Sequence, residues 1–293
     1  ECITIPKHVV RIGCNALLEC TNLKTIKFAE NSELKSIGSN AFSGSKIDHI
    51  LIPQHVNNFG ESVFNSCTNL LTVDFENNSE LDIIDQFTFN FSHIKYLSIP
   101  SNVKQISSLS FVLNDELKRI HIPENSKLKV ICQAAFACSS IESLTFPSNL
   151  IELKDGWCCG ATNFVQIIIP ESNKYYVFKD NQFLLGKTDQ NSDNFDVLIF
   201  SRRDIEHAII PSNIKIISSY AFDCCKKLLS IDFSKSVELQ SIGPGAFQAS
   251  TIEYISIPSN ISIIEESTFC SCEHLKSVFI PENSELKIIK SDA

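Results

Sequence analysis

Twelve cysteines and seven histidines are the residues of this 293-residue sequence that could do chemistry. Thiolates and imidazoles bind zinc, thiols pair in disulfides, and a histidine beside a hydroxyl or thiol can act as a general base. Zinc sites use cysteine pairs separated by about two to four residues. Here the cysteines at 158–159 and 224–225 are doublets, and a single residue separates Cys270 from Cys272. The spacing therefore predicts no metal site.

The positions of these residues follow a repeat. A proline ends a short apolar unit once every 47 residues, in two series: Pro6, Pro53, Pro100 and Pro147, then Pro211 and Pro258. Phenylalanines alternate in steps of 25 and 22 residues, as from Phe64 to Phe89 to Phe111. Each period therefore contains two related units. Pro170 and Pro211 lie 41 residues apart where 24 are expected, which leaves an insertion of 17 residues.

Each unit reads as one short strand. Apolar residues alternate with polar ones before a proline or asparagine, as in "TIKF" (25–28), which indicates a strand with one buried face. One strand cannot bury its own apolar face, so neighbouring units must stack into a solenoid. The phenylalanines are predicted to form a buried column opposite the strand ladder. The asparagines of the acidic-Asn-Ser element are predicted to turn the chain after the strand: Asn31, Asn78, Asn125 and Asn283.

The pattern LxxIxFxxNSxLxxIxxxAFxxSxIxxIxIP, spelled out from Leu23, resembles the leucine-rich repeats of the BspA-like (Treponema-type) family. The likeness covers nearly the whole chain except the insertion. It implies an α/β-class repeat solenoid, mostly β and irregular: a right-handed leucine-rich-repeat solenoid of about twelve coils with one β-meander insertion. It also implies a cell-surface or secreted protein that adheres to host proteins or cells, without catalytic residues. Two positions depart from the pattern, because Cys158 and Leu17 stand where phenylalanine is expected.

Three regions are expected along one continuous solenoid, with both ends truncated. Residues 1–170 form an N-terminal run of repeats, residues 171–208 hold the β-meander insertion, and residues 209–293 form a C-terminal run. The insertion is predicted to jut from the solenoid as a meander, with Asp180-Asn181 turning its first strand pair. A role in bridging the two runs and a role in binding both stay open.

The cysteines fit the same register. Three residues after each column position, Cys and Ser exchange freely, as at Cys20, Ser45 and Cys67. Cys20 and Cys67 are two coils apart, roughly 10 Å, beyond the roughly 4.4–6.8 Å between Cα atoms that a disulfide allows. The cysteines are therefore predicted to be structural thiols. The register leaves one disulfide candidate, between Cys138 and Cys159 on adjacent coils.

Charge and histidine spacing exclude several function classes. The net charge of −9, with both signs interspersed, argues against nucleic acid and anionic membranes as partners. His49, His121 and His207 are predicted to point outward about three coils apart, roughly 15 Å, too far to share a metal or a proton. Apolar runs fall far short of the ~18 residues of a membrane span. We therefore expect no enzyme and no cofactor, and membrane attachment only through an anchor outside these residues.

The outward strand residues are the candidate binding site. A purely structural ladder needs only small or β-branched residues there, whereas this chain includes aromatic and arginine side chains that anchor protein interfaces. The predicted binding residues of this strand-ladder face are Lys27, His49, Leu51, Asp74, Tyr96, Arg119, His121, Gln166, His207, Tyr254 and Phe279. The predicted partner is a host-cell or extracellular-matrix protein. The alternatives are ordinary solvated strands and a passive stalk that displays another domain.

Three N-x-[ST] sequons, at Asn77, Asn90 and Asn260, are possible glycosylation sites if the source is a eukaryote. They agree with a predicted location at the cell surface or outside the cell. Asn and Ser are abundant in the repeat itself, so chance sequons are expected as well.

Overall fold

The computed structural model describes residues 1–234 and 238–293, and in these residues it contains β-strands and tight turns without a helix. The chain is a β-solenoid of about twelve turns, which confirms the predicted repeat architecture. It divides into two compact units, unit 1 (Glu1–Ala161) and unit 2 (Thr162–Ala293). The subdivision at residues 170 and 208 stays a prediction. No segment of the described chain forms a helix that could span a lipid bilayer.

One strand ladder of unit 1 contains the longer strands. These are β1 (Cys2–Ile5), β3 (Thr25–Phe28), β5 (His49–Ile52), β7 (Thr72–Phe75), β9 (Tyr96–Ser98), β11 (Arg119–His121) and β13 (Ser143–Thr145). Each pairs in parallel with the next strand of this series. One strand per coil, stacked in register, is the arrangement that the repeat period predicted.

A second series in unit 1 consists of two-residue strands. These are β2 (Arg11–Ile12), β4 (Ser36–Ile37), β6 (Asn58–Phe59), β8 (Ile83–Ile84), β10 (Gln105–Ile106), β12 (Val130–Ile131) and β14 (Glu152–Leu153). They pair in parallel as β2–β4–β6 and as β8–β10–β12–β14. An eight-residue turn segment follows each short strand, at 13–20, 38–45, 60–67, 85–92, 107–114, 132–139 and 154–161.

The turn segments carry the phenylalanine column. Phe64, Phe89, Phe111 and Phe136 are fully buried, and neighbouring rings stack with centroids 5.2–5.5 Å apart. In the last segment of unit 1 the ring comes from Trp157, one position before Cys158. The indole is buried and packs edge-on against Phe136 at 6.2 Å. It therefore supplies the aromatic volume that the departure at Cys158 removed.

The corners after the strands use serine and backbone conformation as well as asparagine. Asn31 and Asn78 have positive φ (53° and 59°), as expected for residues that turn the chain, whereas Asn125 and Asn283 lie in turns without positive φ. The recurring side-chain bond at these corners comes from the following serine, whose Oγ accepts from a backbone N–H two residues on, as Ser32 does from Leu34 N at 3.3 Å. Ser79, Ser126 and Ser284 repeat this bond.

Unit 2 continues the same elements around the insertion. Its strands are β15 (Gln166–Ile168), β16 (Val177–Lys179), β17 (Phe183–Gly186), β18 (Val197–Ser201), β19 (His207–Ile209), β20 (Ile216–Ile217), β21 (Ser230–Asp232), β22 (Ser241–Ile242), β23 (Tyr254–Ser256), β24 (Ile263–Ile264), β25 (Ser277–Phe279) and β26 (Ile288–Ile289). Parallel pairs β19–β21 and β23–β25 form the outer ladder, and β20–β22 and β24–β26 are short-strand pairs.

The insertion is an antiparallel meander of β16, β17 and β18. Asp180 and Asn181 both have positive φ (52° and 53°) and lie between the paired residues Lys179 and Phe183, so the predicted turn is confirmed. The meander does not simply jut from the solenoid, because β18 pairs in parallel with β20. Phe183 is buried and packs edge-on against Phe222 at 6.1 Å. The apolar residues of the insertion therefore belong to the core of unit 2.

Candidate protein-binding face

The strand-ladder face of unit 1 is built by strict alternation along each strand. In β5, Ile50 and Ile52 are fully buried while His49 and Leu51 are exposed. A period of two puts alternate side chains on opposite faces of a strand. Parallel pairing then aligns the outward residues of neighbouring coils into rows that run across the ladder.

The first row runs along the outward residues that begin these strands. In register it contains Thr25, His49, Thr72, Tyr96, Arg119 and Ser143. Tyr96 and Arg119 are direct neighbours on adjacent strands, and both are exposed. An aromatic ring and a guanidinium side by side, about 4.8 Å apart in backbone spacing, offer a partner one apolar and one charged anchor.

The second row lies two residues further along each strand. Leu51 is in register with Asp74, and Ser98 is in register with His121. Leu51 is 45% exposed on this open face. Lys27, on β3, is also exposed. The two rows together give unit 1 a surface that mixes apolar, aromatic and charged side chains.

Unit 2 presents the remaining predicted residues on its own ladder strands. His207 and Tyr254 pair in register with Ser230 and Ser277, and Phe279 pairs with Ser256. Tyr254 and Phe279 are 58% and 61% exposed. Lys276 Nζ lies 5.6 Å from the centroid of the Tyr254 ring, within cation–π range. Gln166 is exposed on β15. All eleven predicted residues are thus exposed on strands, and their role in binding stays a prediction.

The histidine contacts on this face do not form a proton relay. His49 Nδ1 lies 2.8 Å from Thr72 Oγ1 and 3.6 Å from Asp74 Oδ2. A relay of the hydroxyl–imidazole–carboxylate type needs the two ring nitrogens to face different partners, whereas here both contacts use Nδ1. His207 likewise uses Nδ1 toward Ser230 Oγ at 2.8 Å. These contacts hold the imidazoles against the next strand.

The cysteines take up structural positions in the turn segments. Cys67 Sγ donates to Phe42 O of the preceding coil at 3.1 Å, and Ser92 Oγ donates to Phe89 O of its own coil at 2.8 Å. Cys and Ser exchange because each can donate to the carbonyl of a column phenylalanine, of the preceding coil or of its own. Burial raises the pKa of the Cys67 thiol to about 11, which keeps the group protonated. In the described chain, no cluster of three or more His, Cys, Asp or Glu is arranged to hold a metal ion.

The disulfide candidate lies in adjacent turn segments. Cys138 N donates to Cys159 O at 2.8 Å, so the two backbones are hydrogen-bond neighbours. The disulfide between them stays a prediction.

The three sequons differ in accessibility. Asn77 is exposed, whereas Asn90 Oδ1 is buried. The amide of Asn260 donates to Leu239 O and thereby ties one coil to the previous one. Asn102, Asn149 and Asn213 make equivalent bonds. Of the three predicted sites, Asn77 is therefore the one whose modification would disturb the coil least.

Sequence reasoning missed a cleft beside the insertion. An open cavity of about 600 Å³ lies between the end of β15 and the meander, and its lining includes Ile168, Tyr176, Phe178 and Phe195. Lys187 Nζ stands 4.7 Å from the centroid of the Phe195 ring at its edge. The apolar run "YYVF" (175–178) is the signal in the sequence that points to this cleft.

Comparison with known proteins identifies the repeat. The family model described as "BspA type Leucine rich repeat region (6 copies)" matches residues 1–115, 78–184 and 195–293. The chain belongs to this BspA type family. The predicted resemblance is thereby confirmed. A comparison with curated proteins found no match.

Several solved structures share the fold of this BspA type protein. A leucine rich cell surface protein from Faecalibacterium prausnitzii is 22% identical, with a TM-score of 0.68 over 98% of this chain and 80% of that one. A leucine-rich repeat protein from Bacteroides ovatus is 20% identical, with a TM-score of 0.62 over 98% and 74% of the chains. One from Eubacterium ventriosum is 19% identical, with a TM-score of 0.63 over 91% and 61%. At this identity the likeness establishes the fold.

Proposed function

We propose that this BspA type repeat protein is a non-enzymatic protein-binding module that adheres to a host-cell or extracellular-matrix protein through its strand-ladder face. The observation that carries the proposal is the row in which Tyr96 and Arg119 stand side by side, both exposed. Tyrosine and arginine are enriched among the residues that contribute most to protein interfaces. If the row were only solvated strand surface, it would not need these two side chains.

The open geometry of the face supports macromolecular recognition. The outward rows lie on parallel strands without an enclosing wall, whereas small-molecule sites bury most of their ligand in a cleft. Leu51 and Tyr96 are 45% and 50% exposed. A protein that binds this face therefore buries their apolar surface, which favours association. The charged residues Lys27, Asp74 and Arg119 lie on the same face and would orient that partner.

We infer a location at the cell surface or outside the cell. The Faecalibacterium structure is that of a protein described as a cell surface protein, and it covers nearly the whole of this chain. An exposed sequon at Asn77 agrees with this location in a eukaryotic source.

Binding to purified matrix proteins tests the proposal. We expect saturable binding to at least one of fibronectin, laminin, collagen or fibrinogen, measured by biolayer interferometry. The double substitution Tyr96→Ala with Arg119→Ala should raise Kd about tenfold or more, because two neighbouring anchors are removed. The matched control is Leu18→Ser with Lys46→Ala, which truncates one exposed apolar and one basic side chain elsewhere in unit 1 and should leave Kd unchanged.

Equal Kd values for the wild type and the Tyr96→Ala, Arg119→Ala protein would show that this face is not the binding surface. Absence of binding to every matrix and host-cell protein tested would favour the alternative, in which the solenoid is a spacer that displays another domain.

A further inference from the structure

The turn segments share a demanding backbone conformation. Their third and seventh residues have positive φ in every segment of unit 1. This left-handed region suits glycine and asparagine and disfavours bulky side chains. Most segments obey that preference with small or polar residues, as in Asn40 and Gly44, or Ser62 and Ser66. The backbone therefore sets a preference that the sequence can either follow or violate.

Two adjacent segments violate it with large apolar residues. Segment 85–92 has Phe87 and Phe91 at these positions, with φ of 56° and 53°, and segment 107–114 has Leu109 and Leu113, with φ of 60° and 56°. Burial does not compensate for this strain at the seventh position, because Phe91 is 50% and Leu113 is 40% exposed. Strain of this kind concentrates where function requires it.

The four residues lie on neighbouring coils. Phe91 N donates to Val112 O at 3.1 Å, which ties the two segments together beside the exposed side chains. With Val112, which is half-buried, they form an apolar surface that we call the turn patch: Phe87, Phe91, Leu109, Val112 and Leu113. The patch lies on the turn segments of unit 1 and shares no residue with the strands that carry the strand-ladder face.

The surroundings of the turn patch are acidic. Glu61 lies in the preceding turn segment, Asp85 begins segment 85–92 and Asp115 follows segment 107–114, and residues 85–94 and 105–117 contain neither Lys nor Arg. His93 Nε2 lies 3.6 Å from Asp115 Oδ1. The intervening Lys95 and Lys104 pair with Glu116 at 3.3 Å and Asp82 at 3.5 Å. A partner with basic residues around an apolar stripe complements this charge. A second copy of the chain at the same patch would place acidic residues against acidic residues.

We propose that the turn patch binds a basic amphipathic helix of a partner protein. Such a helix presents apolar side chains three and four residues apart, about 5–6 Å between Cβ atoms, which matches the ~4.8 Å spacing of adjacent coils. Its apolar stripe covers Phe91 and Leu113. Its Lys and Arg residues face the carboxylates of Glu61, Asp85 and Asp115, which lie in or next to the turn segments of these coils. This surface is separate from the strand-ladder face and does not depend on it.

A synthetic peptide of leucine and lysine tests the proposal. The probe is a fluorescein-labelled amphipathic helix of about 18 residues, five helical turns, and its control is a shuffled peptide of the same composition. Binding is measured by fluorescence anisotropy at physiological salt, and the site is mapped by amide hydrogen exchange. We expect saturable binding of the amphipathic peptide, at least about tenfold weaker binding of the shuffled one, and protection of residues 85–92 and 107–114.

The variant that removes the patch is Phe91→Ser with Leu113→Ser, since serine already occupies the seventh position at Ser66. It should raise the peptide's Kd about tenfold or more and leave the melting temperature unchanged or higher, because the strained residues are relieved. The matched control is Leu18→Ser with Leu71→Ser, which removes two leucines of similar exposure outside the patch and should leave Kd unchanged.

Three results would overturn the proposal: a Kd that the Phe91→Ser, Leu113→Ser substitutions leave unchanged, equal binding of the shuffled peptide, or a fall in melting temperature, which would show that these side chains serve packing. A wild-type dimer that the same substitutions disperse would identify a second copy as the occupant and would also contradict it. The Tyr96→Ala, Arg119→Ala protein should bind the peptide as the wild type does, so the two surfaces can fail independently.

Discussion

Replacing the buried Arg203 should destabilise unit 2 more than replacing a neighbouring charged residue. Arg203 is 2% exposed, and its guanidinium stands over the Phe200 ring at 4.7 Å. Its Nη1 donates to Ala221 O at 3.1 Å and its Nη2 to Tyr220 O at 3.4 Å. Ala221 O also accepts from Ser201 N at 2.9 Å. The guanidinium thus supplies hydrogen bonds to two backbone carbonyls of segment 218–225.

The expected magnitude for Arg203→Met follows from these bonds. A hydrogen bond to a charged group contributes about 1.5–3 kcal/mol, and a buried carbonyl left without its donor costs about 1–3 kcal/mol. Methionine keeps much of the volume and removes the desolvation cost of the charge, which offsets part of the loss. We expect a net decrease of about 2–4 kcal/mol in the free energy of opening around residues 218–225, and a larger one for Arg203→Ala because it adds a cavity.

Amide hydrogen exchange measures this effect locally. A loss of about 2–4 kcal/mol accelerates exchange of the amides of Ala221 and Phe222 by a factor on the order of 30 to 1,000. The control is Arg202→Met, one residue away. Arg202 forms a partly exposed bidentate pair with Asp204, with both N–O distances 2.9 Å, and such pairs contribute about 0–1 kcal/mol.

Equal exchange rates in the Arg202→Met and Arg203→Met proteins would refute this reasoning. So would acceleration that leaves residues 218–225 protected, because the carbonyls of that segment are the groups that the guanidinium serves.

Two further predictions concern the turn segments of unit 1. Phe89→Ala should lower the free energy of unfolding by about 3–5 kcal/mol in urea denaturation, because the ring is fully buried between Phe64 and Phe111 at 5.5 and 5.2 Å; a loss below about 1 kcal/mol would contradict the stacked column. Cys67, whose pKa burial raises to about 11, should resist a thiol-specific disulfide reagent near pH 8 while the exposed Cys14 reacts, and should react only after unfolding or close to its pKa. Rapid modification of Cys67 in the native protein would show that its segment opens.

The repeat-scale features were predictable because they recur. Phenylalanine steps of 25 and 22 residues located the column, and alternation within each strand located the outward residues, including Tyr96 and Phe279. The pair Asp180-Asn181 predicted its turn because both residue types tolerate positive φ. In each case a residue type suits one local conformation, so its position in the sequence indicates the local structure directly.

The features that the sequence did not reveal depend on partners distant along the chain. Trp157 replaces the missing column phenylalanine from the neighbouring position, which only its packing against Phe136 shows. In the sequence, Arg203 resembles a surface charge. Only the structure shows its hydrogen bonds to the carbonyls of residues 220 and 221. The cleft at Phe178 and Phe195 forms only when the meander packs next to β15. None of these contacts follows a period, so the repeat pattern carries no information about them.

The positive φ at Phe91 and Leu113 supports the proposed binding role, because the other coils of unit 1 show which residues this backbone conformation favours. The hydrogen bonds between turn segments are made by backbone groups, and they impose the same φ on every coil whatever the side chain. Serine and glycine at these positions satisfy that demand without strain, so selection for stability alone would retain them. On the ladder, by contrast, aromatic residues are favoured by the strand, and Tyr96 costs little. An exposed Phe91 works against the local backbone, and for that reason it is stronger evidence of a binding role than an equally exposed tyrosine on a strand.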